Sequence, residues 1–384
     1  MRDPSHPPAW ARWSDAAAAS PWTIGLEEEV MLLDPRSWSV TNRIDEVLAA
    51  LPSSVRRHAS AETHACVIEL RTEPHATVRE AAAELSHLRA SLDDALRETL
   101  GLRAAVAGTH PLVTSEQVAV SSGSRYRQIS SSMRALTRRE PTMAQHVHVA
   151  VPDAETAVRV LDGLRSDLPL LLALSGNSPF WRGEDSGFVS IRTPIFSMFP
   201  RVGIPRRFGR YAEYVGAVEP LLGSEAIPEP GFLWWDVRLR SQIGTVEVRI
   251  MDAQTRVADA AALAAVVHCL ACLRAGGERP ADPGPEVLAE NRFLAARDGT
   301  RAQIIDARTL RKRSIRGALT ELLGHCASIA PGRGCADELA AASALAADPG
   351  AARQRRLAAT DGIAALPAWL GDEFTAVETA AAAA

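Results

Sequence analysis

The sequence predicts an α+β fold, in which helices cover one side of an antiparallel sheet. Two observations support this prediction. Residues 233–240 and 245–251 alternate apolar and charged side chains on either side of a four-residue turn, which indicates an antiparallel hairpin. The other strand-like segments are separated by long helical segments, without the strict strand–helix alternation that a parallel sheet requires.

The first predicted strand, residues 23–33, carries three consecutive glutamates inside an apolar run. Successive strand side chains point to opposite faces, so Glu27 and Glu29 share one face and Glu28 lies on the other. Two buried carboxylates on one face require a compensating cation, and Mg²⁺ or Mn²⁺ prefers oxygen ligands. The segment therefore predicts a metal site. The alternative is a surface strand with solvated carboxylates, and Glu28 has no predicted partner.

A second acidic strand is predicted at residues 65–72, where Glu69 interrupts another apolar run. Glu62 precedes Glu69 by seven residues, which is an odd offset. The two side chains share a face only if a bulge intervenes or if Glu62 comes before the strand begins. The alternative role for Glu69 is an ion pair with Arg71.

The remaining regular elements follow from hydrophobic periodicity. Apolar residues at helical spacing predict helices at 78–100, 154–175 and 259–275, and a further set of helices from about residue 285. A short buried strand is predicted at 104–108. Residues 276–285 are rich in glycine and proline and predict a loop.

Two histidines alternate with valines in the strand predicted at residues 145–151, so His146 and His148 share one face. A neutral imidazole can bind a cation, whereas a lone buried histidine is often purely structural. His148 lies further into the strand and is the preferred ligand of the two.

The predicted hairpin has one apolar face and one charged face. On the charged face, Glu247 is suited to hold a cation and Arg249 to bind anionic oxygens in a bidentate manner. The alternative is a solvated face with cross-strand ion pairs. The first strand contributes Asp236, Arg238 and Arg240 to this face, and the second contributes Thr245, Glu247, Arg249 and Met251.

Composition excludes several classes of protein. The chain has 384 residues, is 47% hydrophobic and carries a net charge of −4, which does not favour nucleic-acid binding. The five cysteines show no disulfide framework, no uncharged apolar run reaches about 18 residues, and the N-terminal residues lack the apolar segment expected of a secretory signal. We expect a cytoplasmic protein without membrane contact. It should consist of a flexible arm (1–20), one catalytic domain (21–372) and a flexible tail (373–384).

Collinear motifs between about residues 20 and 370 resemble the carboxylate-amine ligase family, also called glutamate–cysteine ligase type 2. Any one motif is modest evidence, but this many in order is specific. The motifs are Gly25-Leu26-Glu27-Glu28-Glu29-Val30, Gly108-Thr109-His110-Pro111, His146-Val147-His148-Val149, Ser178-Pro179-Phe180-Trp181, Gly183-Glu184-Asp185, Trp234-Trp235-Asp236-Val237-Arg238, Gly244-Thr245-Val246-Glu247-Val248-Arg249, Asp252-Ala253-Gln254-Thr255 and Glu290-Asn291-Arg292.

The resemblance implies a glutamine synthetase-like fold, with a curved antiparallel sheet that forms an active-site funnel backed by helices. It also implies ATP-dependent amide formation through an acyl phosphate, typically between the γ-carboxylate of glutamate and cysteine or another amine, by a homodimer or other homo-oligomer. Glu247 and Arg249 would be catalytic. The implied Mg²⁺ or Mn²⁺ ligands are Glu27, Glu29, Glu62, Glu69, His148 and Glu247, and the implied ATP- or substrate-binding arginines are Arg192, Arg238, Arg240, Arg249 and Arg292.

One stretch departs from the common pattern of the family. Many relatives have a Tyr-Arg-Ser type run where this chain has Ile191-Arg192-Thr193. Two alternative functions remain open at this point. A metal-dependent hydrolase of amide or phosphate bonds would need an open metal position but no arginines for nucleotide phosphates. A non-catalytic nucleotide-binding relative would have a degenerate ligand set, whereas the set here is complete.

Overall fold

The computed structural model describes residues 7–277 and 280–376. Its main sheet has seven strands, paired antiparallel throughout in the order β6–β7–β5–β1–β3–β2, with β4 paired to the end of β1. This confirms the predicted α+β class. The strands are β1 (Ile24–Leu33), β2 (Ala59–Ala61), β3 (Val67–Arg71), β4 (Arg103–Ala105), β5 (Ala144–Ala150), β6 (Val237–Arg240) and β7 (Thr245–Asp252).

Eleven α-helices of eight or more residues lie within the described ranges. They are α1 (Val78–Ala95), α2 (Ser124–Met133), α3 (Ala154–Leu164), α4 (Leu168–Ser175), α5 (Tyr211–Gly223), α6 (Val257–Ala275), α7 (Pro285–Asp298), α8 (Ile315–Ala327), α9 (Ala336–Ala347), α10 (Gly350–Asp361) and α11 (Leu366–Glu373). The shorter α-helices are Asp15–Ala19, Ile44–Ala50, Ser53–Arg56 and Arg192–Phe196. Three two-stranded ladders pair Phe180–Trp181 with Glu184–Asp185, Val202–Gly203 with Trp234–Trp235, and Gln303–Ile305 with Lys312–Ser314.

Two predicted helices differ in extent from the observed ones. The helix predicted at 78–100 changes from α-helix to a wider π-helical turn at Leu96–Leu100. The helix predicted at 154–175 is two helices, α3 and α4. Pro169 lies in the first turn of α4, where its missing N–H is tolerated, whereas one continuous helix would place it in the interior.

The core lies behind the apolar face of the sheet, where α1, α3 and α6 pack. Helix α6 is long and apolar enough to cross a membrane by length and composition, the only such helix in the described part of the chain. However, 72% of its apolar window is buried inside the protein. The helix is therefore the central core helix of this fold.

The structure gives Glu28 a partner that the sequence analysis lacked. Glu28 is fully buried on the core face of β1 and forms a two-point ion pair with Arg89 of α1, whose Nε donates to Glu28 Oε1 at 2.9 Å. Arg89 also donates to the carbonyl oxygens of Gln254, Thr255 and Phe374. The pair ties the sheet to the helical layer and to the C-terminal segment, so its role is structural.

Both predicted flexible ends extend beyond the described residues, which exclude 1–6 and 377–384. Residues 278 and 279 of the predicted 276–285 loop also lie outside them. The described part of the arm makes specific contacts: Trp10 Nε1 donates to Glu219 Oε2 at 2.8 Å, and Trp13 Nε1 donates to the Val151 carbonyl at 2.9 Å. The division into arm, domain and tail stays a prediction.

Candidate active site

The polar face of the sheet collects most of the residues that the sequence singled out. Because β5, β1 and β3 are adjacent, residues far apart in the chain become direct cross-strand neighbours. Glu27 lies opposite His146 and Arg71, Glu29 opposite Glu69, and Glu247 opposite His148 and Arg238.

A cavity of about 370 Å³ opens onto this face. Four of the predicted metal ligands line it, namely Glu27, Glu29, Glu62 and Glu69. Three sets of side chains could each hold one cation, because their ligand atoms lie within 4.8 Å of one another. These sets are Glu27 with Glu69 and His146, Glu27 with His148 and Glu247, and Glu29 with Glu62 and Glu69.

Glu29, Glu62 and Glu69 form what we call the acidic corner. Glu62 lies in the turn after β2, so it precedes β3, which was one of the two predicted ways for it to join Glu69. Glu29 Oε2 accepts from the Ala144 backbone N–H at 2.7 Å, and Glu69 Oε1 accepts from the Ser60 hydroxyl at 3.1 Å. Glu62 Oε2 accepts from the Thr63 backbone N–H at 3.0 Å. These few hydrogen bonds leave two buried carboxylates and the half-buried Glu62 close together.

The pKa values of the acidic corner reflect this crowding. Burial and the nearby charge of Glu62 raise the pKa of Glu29 to about 8. Burial, followed by the charges of Glu27, Glu62 and Glu29, raises the pKa of Glu69 well above its usual range. A bound dication would compensate these charges, as hard metal ions do at carboxylate clusters.

Glu247 lies at the other end of the same face, and its surroundings are cationic. Arg238 donates to both of its oxygens, at 2.7 and 3.0 Å, Arg249 contacts Oε1, and Arg240 approaches Oε2 at 3.4 Å. Burial by itself raises the pKa of Glu247, but Arg238 and Arg249 outweigh it and hold the pKa well below its usual range. Glu247 is therefore ionised and already compensated by the protein.

Glu27 joins the two ends through the histidines of β5. Its carboxylate oxygens lie 3.1 Å from His146 Nδ1 and 3.3 Å from His148 Nε2. Burial raises the pKa of Glu27, but His148 and His146 outweigh it and bring the pKa well below its usual range. Burial and the charge of Arg249 lower the pKa of His146 to about 3, so its ring is neutral.

The histidines also provide a test of whether a metal fits. His146 Nε2 is buried and has no hydrogen-bond partner within the described residues. His148 Nδ1 lies 3.0 Å from Thr245 Oγ1, a contact that orients the ring and turns Nε2 toward the Glu27 carboxylate, 3.3 Å away. Imidazole nitrogens that face clustered carboxylates are a donor set that suits a divalent cation. The sequence analysis preferred His148, whereas the structure brings both histidines into candidate sets.

Two of the predicted arginines, Arg192 and Arg249, line the cavity and have an N–H donor without a hydrogen-bond partner among the described residues. Arg192 is 5% exposed and donates to the carbonyl oxygens of Ile250 and Arg249, at 3.1 and 3.2 Å. Arg192 Nε and Arg249 Nε are buried and have no hydrogen-bond partner among the described residues. Both side chains line the cavity and can receive an anionic group.

The other three predicted arginines differ in exposure and in how fully their N–H donors are already paired. Arg240 lines the cavity and its side chain is 39% exposed. The N–H groups of Arg238 donate to Glu247 and to two backbone carbonyl oxygens, so Arg238 acts to position Glu247. Arg292 is paired with Asp236, at 2.6 and 3.2 Å, and is not among the residues that line the cavity. The predicted role of Arg292 in binding ATP or substrate stays a prediction.

A bulge in β7 changes one predicted face and supplies a residue that sequence reasoning missed. The register shifts between Val248 and Met251, and Met251 pairs with Gln145 and packs in the core instead of continuing the charged face. Next to it, Asp252 is fully buried and accepts from the hydroxyls of Ser178 and Ser190 at 2.7 Å. The sequence signal for Asp252 was its place in a quoted motif, to which no role had been assigned.

Comparison with known proteins agrees with this geometry. The model of the family described as Glutamate-cysteine ligase family 2 matches residues 23–372. A protein of Rubrobacter xylanophilus with the provisional name glutamate–cysteine ligase 2-3 is 39% identical over 350 residues, which cover 90% of this chain and 94% of that protein. A protein of Gloeobacter violaceus, provisionally named glutamate–cysteine ligase 2, is 34% identical over 342 residues, covering 87% of this chain and 92% of the relative.

Solved structures share the fold at low sequence identity. A glutamate–cysteine ligase of Francisella tularensis, crystallised in complex with AMP, matches with a TM-score of 0.69 and 13% identity, covering 93% of this chain and 90% of the other. A bifunctional glutathione synthetase of Pasteurella multocida matches with a TM-score of 0.63 and 13% identity, covering 93% and 53%. The chain belongs to the glutamate–cysteine ligase family 2, which confirms the fold and the class of ATP-dependent C–N ligase predicted from its motifs.

Proposed function

We propose that this protein uses ATP to join the γ-carboxylate of glutamate to the amine of cysteine or of another amino compound. The observation that carries the proposal is the cavity face itself. Its acidic corner (Glu29, Glu62 and Glu69) lacks enough positive charge, while Glu247 and its arginines lie beside it. Such a face can bind metal-bound phosphates and a carboxylate at the same time.

The residues present suit Mg²⁺ or Mn²⁺, as the imidazole nitrogens and crowded carboxylates indicate. When bound, the metal supplies positive charge that neutralises the phosphate oxygens of ATP. The proposed ligands are the predicted six, Glu27, Glu29, Glu62, Glu69, His148 and Glu247, together with His146.

The chain's own residues do the remaining work. Arg249 and Arg240 bind phosphate oxygens, and Arg192 binds a substrate carboxylate through its free Nε. A carboxylate oxygen of the acid substrate attacks the γ-phosphorus in line, and ADP leaves. The amine nitrogen then attacks the acyl carbon, loses a proton, and releases inorganic phosphate. Water must be kept away from the acyl phosphate, which it would otherwise hydrolyse.

A coupled assay tests the proposal. The protein is mixed with ATP, Mg²⁺, glutamate and a panel of amines, and both ADP release and the γ-glutamyl product are measured. We expect amine-dependent ADP release, and absence of it with every acid–amine pair would refute the ligase proposal. Metal-dependent turnover without ATP would instead support a hydrolase, and binding of Mg-ATP without any turnover would support a non-catalytic relative.

Two further parts of the proposal concern the state of the protein in the cell. We propose a homo-oligomer, such as a dimer, located in the cytoplasm. Light scattering after size-exclusion chromatography tests the first part, and a monomeric mass would contradict it. Fractionation of cells that express the chain tests the second.

A further inference from the structure

One wall of the cavity is aromatic. Phe196 and Phe199 come from the Arg192–Phe196 helix and the turn after it, and Trp234 comes from the short strand Trp234–Trp235. The ring centroids of Phe196 and Phe199 are 5.6 Å apart, and those of Phe199 and Trp234 are 6.1 Å apart. We call these three side chains the aromatic wall. All three line the cavity and are only partly buried.

Neither the metal ligands nor the arginines explain this wall. Phosphate and metal gain nothing from contact with apolar rings, whereas an apolar group that packs on the rings removes both surfaces from water. Apolar and aromatic lining with a few placed polar groups is the usual composition of a small-molecule site. The wall therefore indicates a ligand with an apolar part.

Arg192 lies at the base of the aromatic wall. Its guanidinium carbon is 5.6 Å from the centroid of the Phe196 ring, and its Nε is buried without a hydrogen-bond partner in the described residues. An anion bound at this Nε would lie directly beside the wall. The complementary ligand has a carboxylate and an apolar group close together.

We infer that the aromatic wall and Arg192 form the site of the amine substrate, and that this substrate is an α-amino acid with an apolar or aromatic side chain. The inference rests on the proposed function. In ATP the ribose separates the base from the nearest phosphate, so the base and an anion do not adjoin as the wall and Arg192 do. In glutamate the side chain itself ends in the carboxylate that must reach the metal ligands.

Substrate pairs that differ in one group test the inference in the wild-type protein. With ATP, Mg²⁺ and glutamate, we expect kcat/KM for L-phenylalanine to exceed that for L-alanine by about tenfold or more, as a filled apolar pocket gives. Phenethylamine, which has the ring but no carboxylate, should be a poor substrate. Equal kcat/KM values for phenylalanine and alanine would overturn the inference.

Substitutions in the wall distinguish the possible occupants. Phe199→Leu and Trp234→Leu should raise KM for phenylalanine and leave KM for ATP and for glutamate unchanged, while Trp234→Phe should retain the selectivity. Phe293→Leu is the matched control, because Phe293 is 44% exposed and is not among the residues that line the cavity. A rise in KM for ATP or for glutamate instead would identify the adenine base or the acid substrate as the occupant and overturn the inference.

A binding measurement separates this inference from the proposed function. In the presence of Mg²⁺ and ADP, L-phenylalanine should raise the Tm of the wild-type protein more than L-alanine does. If no amine supports ADP release but phenylalanine still binds selectively, the proposed ligase activity fails and the wall remains an amino-acid site. If the two amino acids shift Tm equally, or not at all, the inference fails whatever the activity.

Discussion

Glu247 and Glu69 are buried carboxylates on one face of the same sheet, but their surroundings shift the two pKa values in opposite directions. Three arginines contact Glu247, and its pKa lies well below the usual range. Among the described residues, the one ion-pair partner of Glu69 is Arg71 at 3.7 Å, the charges of Glu27, Glu62 and Glu29 lie nearby, and its pKa lies well above the usual range. At the Glu247 end the protein's own arginines compensate the negative charge, whereas the acidic corner has little positive charge of its own and is suited to a cation from solution.

The largest expected effect is on stability at the Glu247 end. Glu247→Gln leaves Arg238 buried without its ion-pair partner and removes the ion pair of Arg249, so the free energy of unfolding should fall by about 3–5 kcal/mol. Urea denaturation monitored by tryptophan fluorescence measures this change. Arg292→Gln, which removes an ion pair outside the cavity lining, serves as a comparison. An unchanged stability of Glu247→Gln would show that the arginines do not depend on this carboxylate.

The second effect is on metal affinity at the acidic corner. Glu69→Gln removes one carboxylate ligand from two of the three candidate sets, so the dissociation constant for Mn²⁺ should rise about 10–100-fold, the range known for perturbed metal sites. Titration calorimetry with Mn²⁺ measures it. Asp185→Asn, on an exposed ladder away from the cavity, is the control. Equal affinities of Glu69→Gln and the control would remove Glu69 from the ligand set.

The third effect is a pH dependence of metal binding. Without metal, Glu29 has a pKa of about 8 and is mostly protonated at pH 7, and it must lose that proton to bind a cation. Mg²⁺ binding at pH 7 should therefore release protons, and the affinity should fall by up to about tenfold per pH unit as the pH is lowered below 8. Calorimetry in two buffers of different ionisation enthalpy detects the release. A binding enthalpy that is identical in both buffers would contradict the prediction.

The smallest expected effect is a gain in the free energy of unfolding, opposite in sign to the loss expected for Glu247→Gln. In the presence of a chelator at pH 7, Glu69→Gln should raise the free energy of unfolding by roughly 1 kcal/mol, because it removes a buried carboxyl that must take up a proton when the chain folds. Denaturation in EDTA measures this, and the gain should disappear when Mg²⁺ is added to both proteins. Destabilisation of Glu69→Gln under EDTA would mean that burial of the Glu69 carboxyl does not cost stability.

Much of the site followed from strand alternation. The shared face of Glu27 and Glu29, and the charged face that carries Glu247 and Arg249, were predicted because side chains along a strand repeat every two residues. The same rule failed at Met251, where the bulge in β7 inserts an extra residue and reverses the face. A bulge of this kind leaves no signal in a single sequence.

Contacts between distant segments were beyond sequence reasoning. Glu28 pairs with Arg89, and Arg292 pairs with Asp236, across 61 and 56 residues respectively. Each glutamate or arginine of the chain has many possible partners of opposite charge, and only the packing of helices on the sheet selects one. For this reason Glu28 had no predicted role, and the pairing of Arg292 with Asp236 was not predicted.

The sequence by itself determined most strands of the main sheet, the residues on most strand faces, and the family through its ordered motifs, because these depend on local periodicity and on short patterns. Only the tertiary structure decided how the charges are compensated. Whether a carboxylate is buried beside arginines, like Glu247, or beside other carboxylates, like Glu69, depends on which strands become neighbours. The pKa of a buried group follows from its neighbours in space and not from those in the chain.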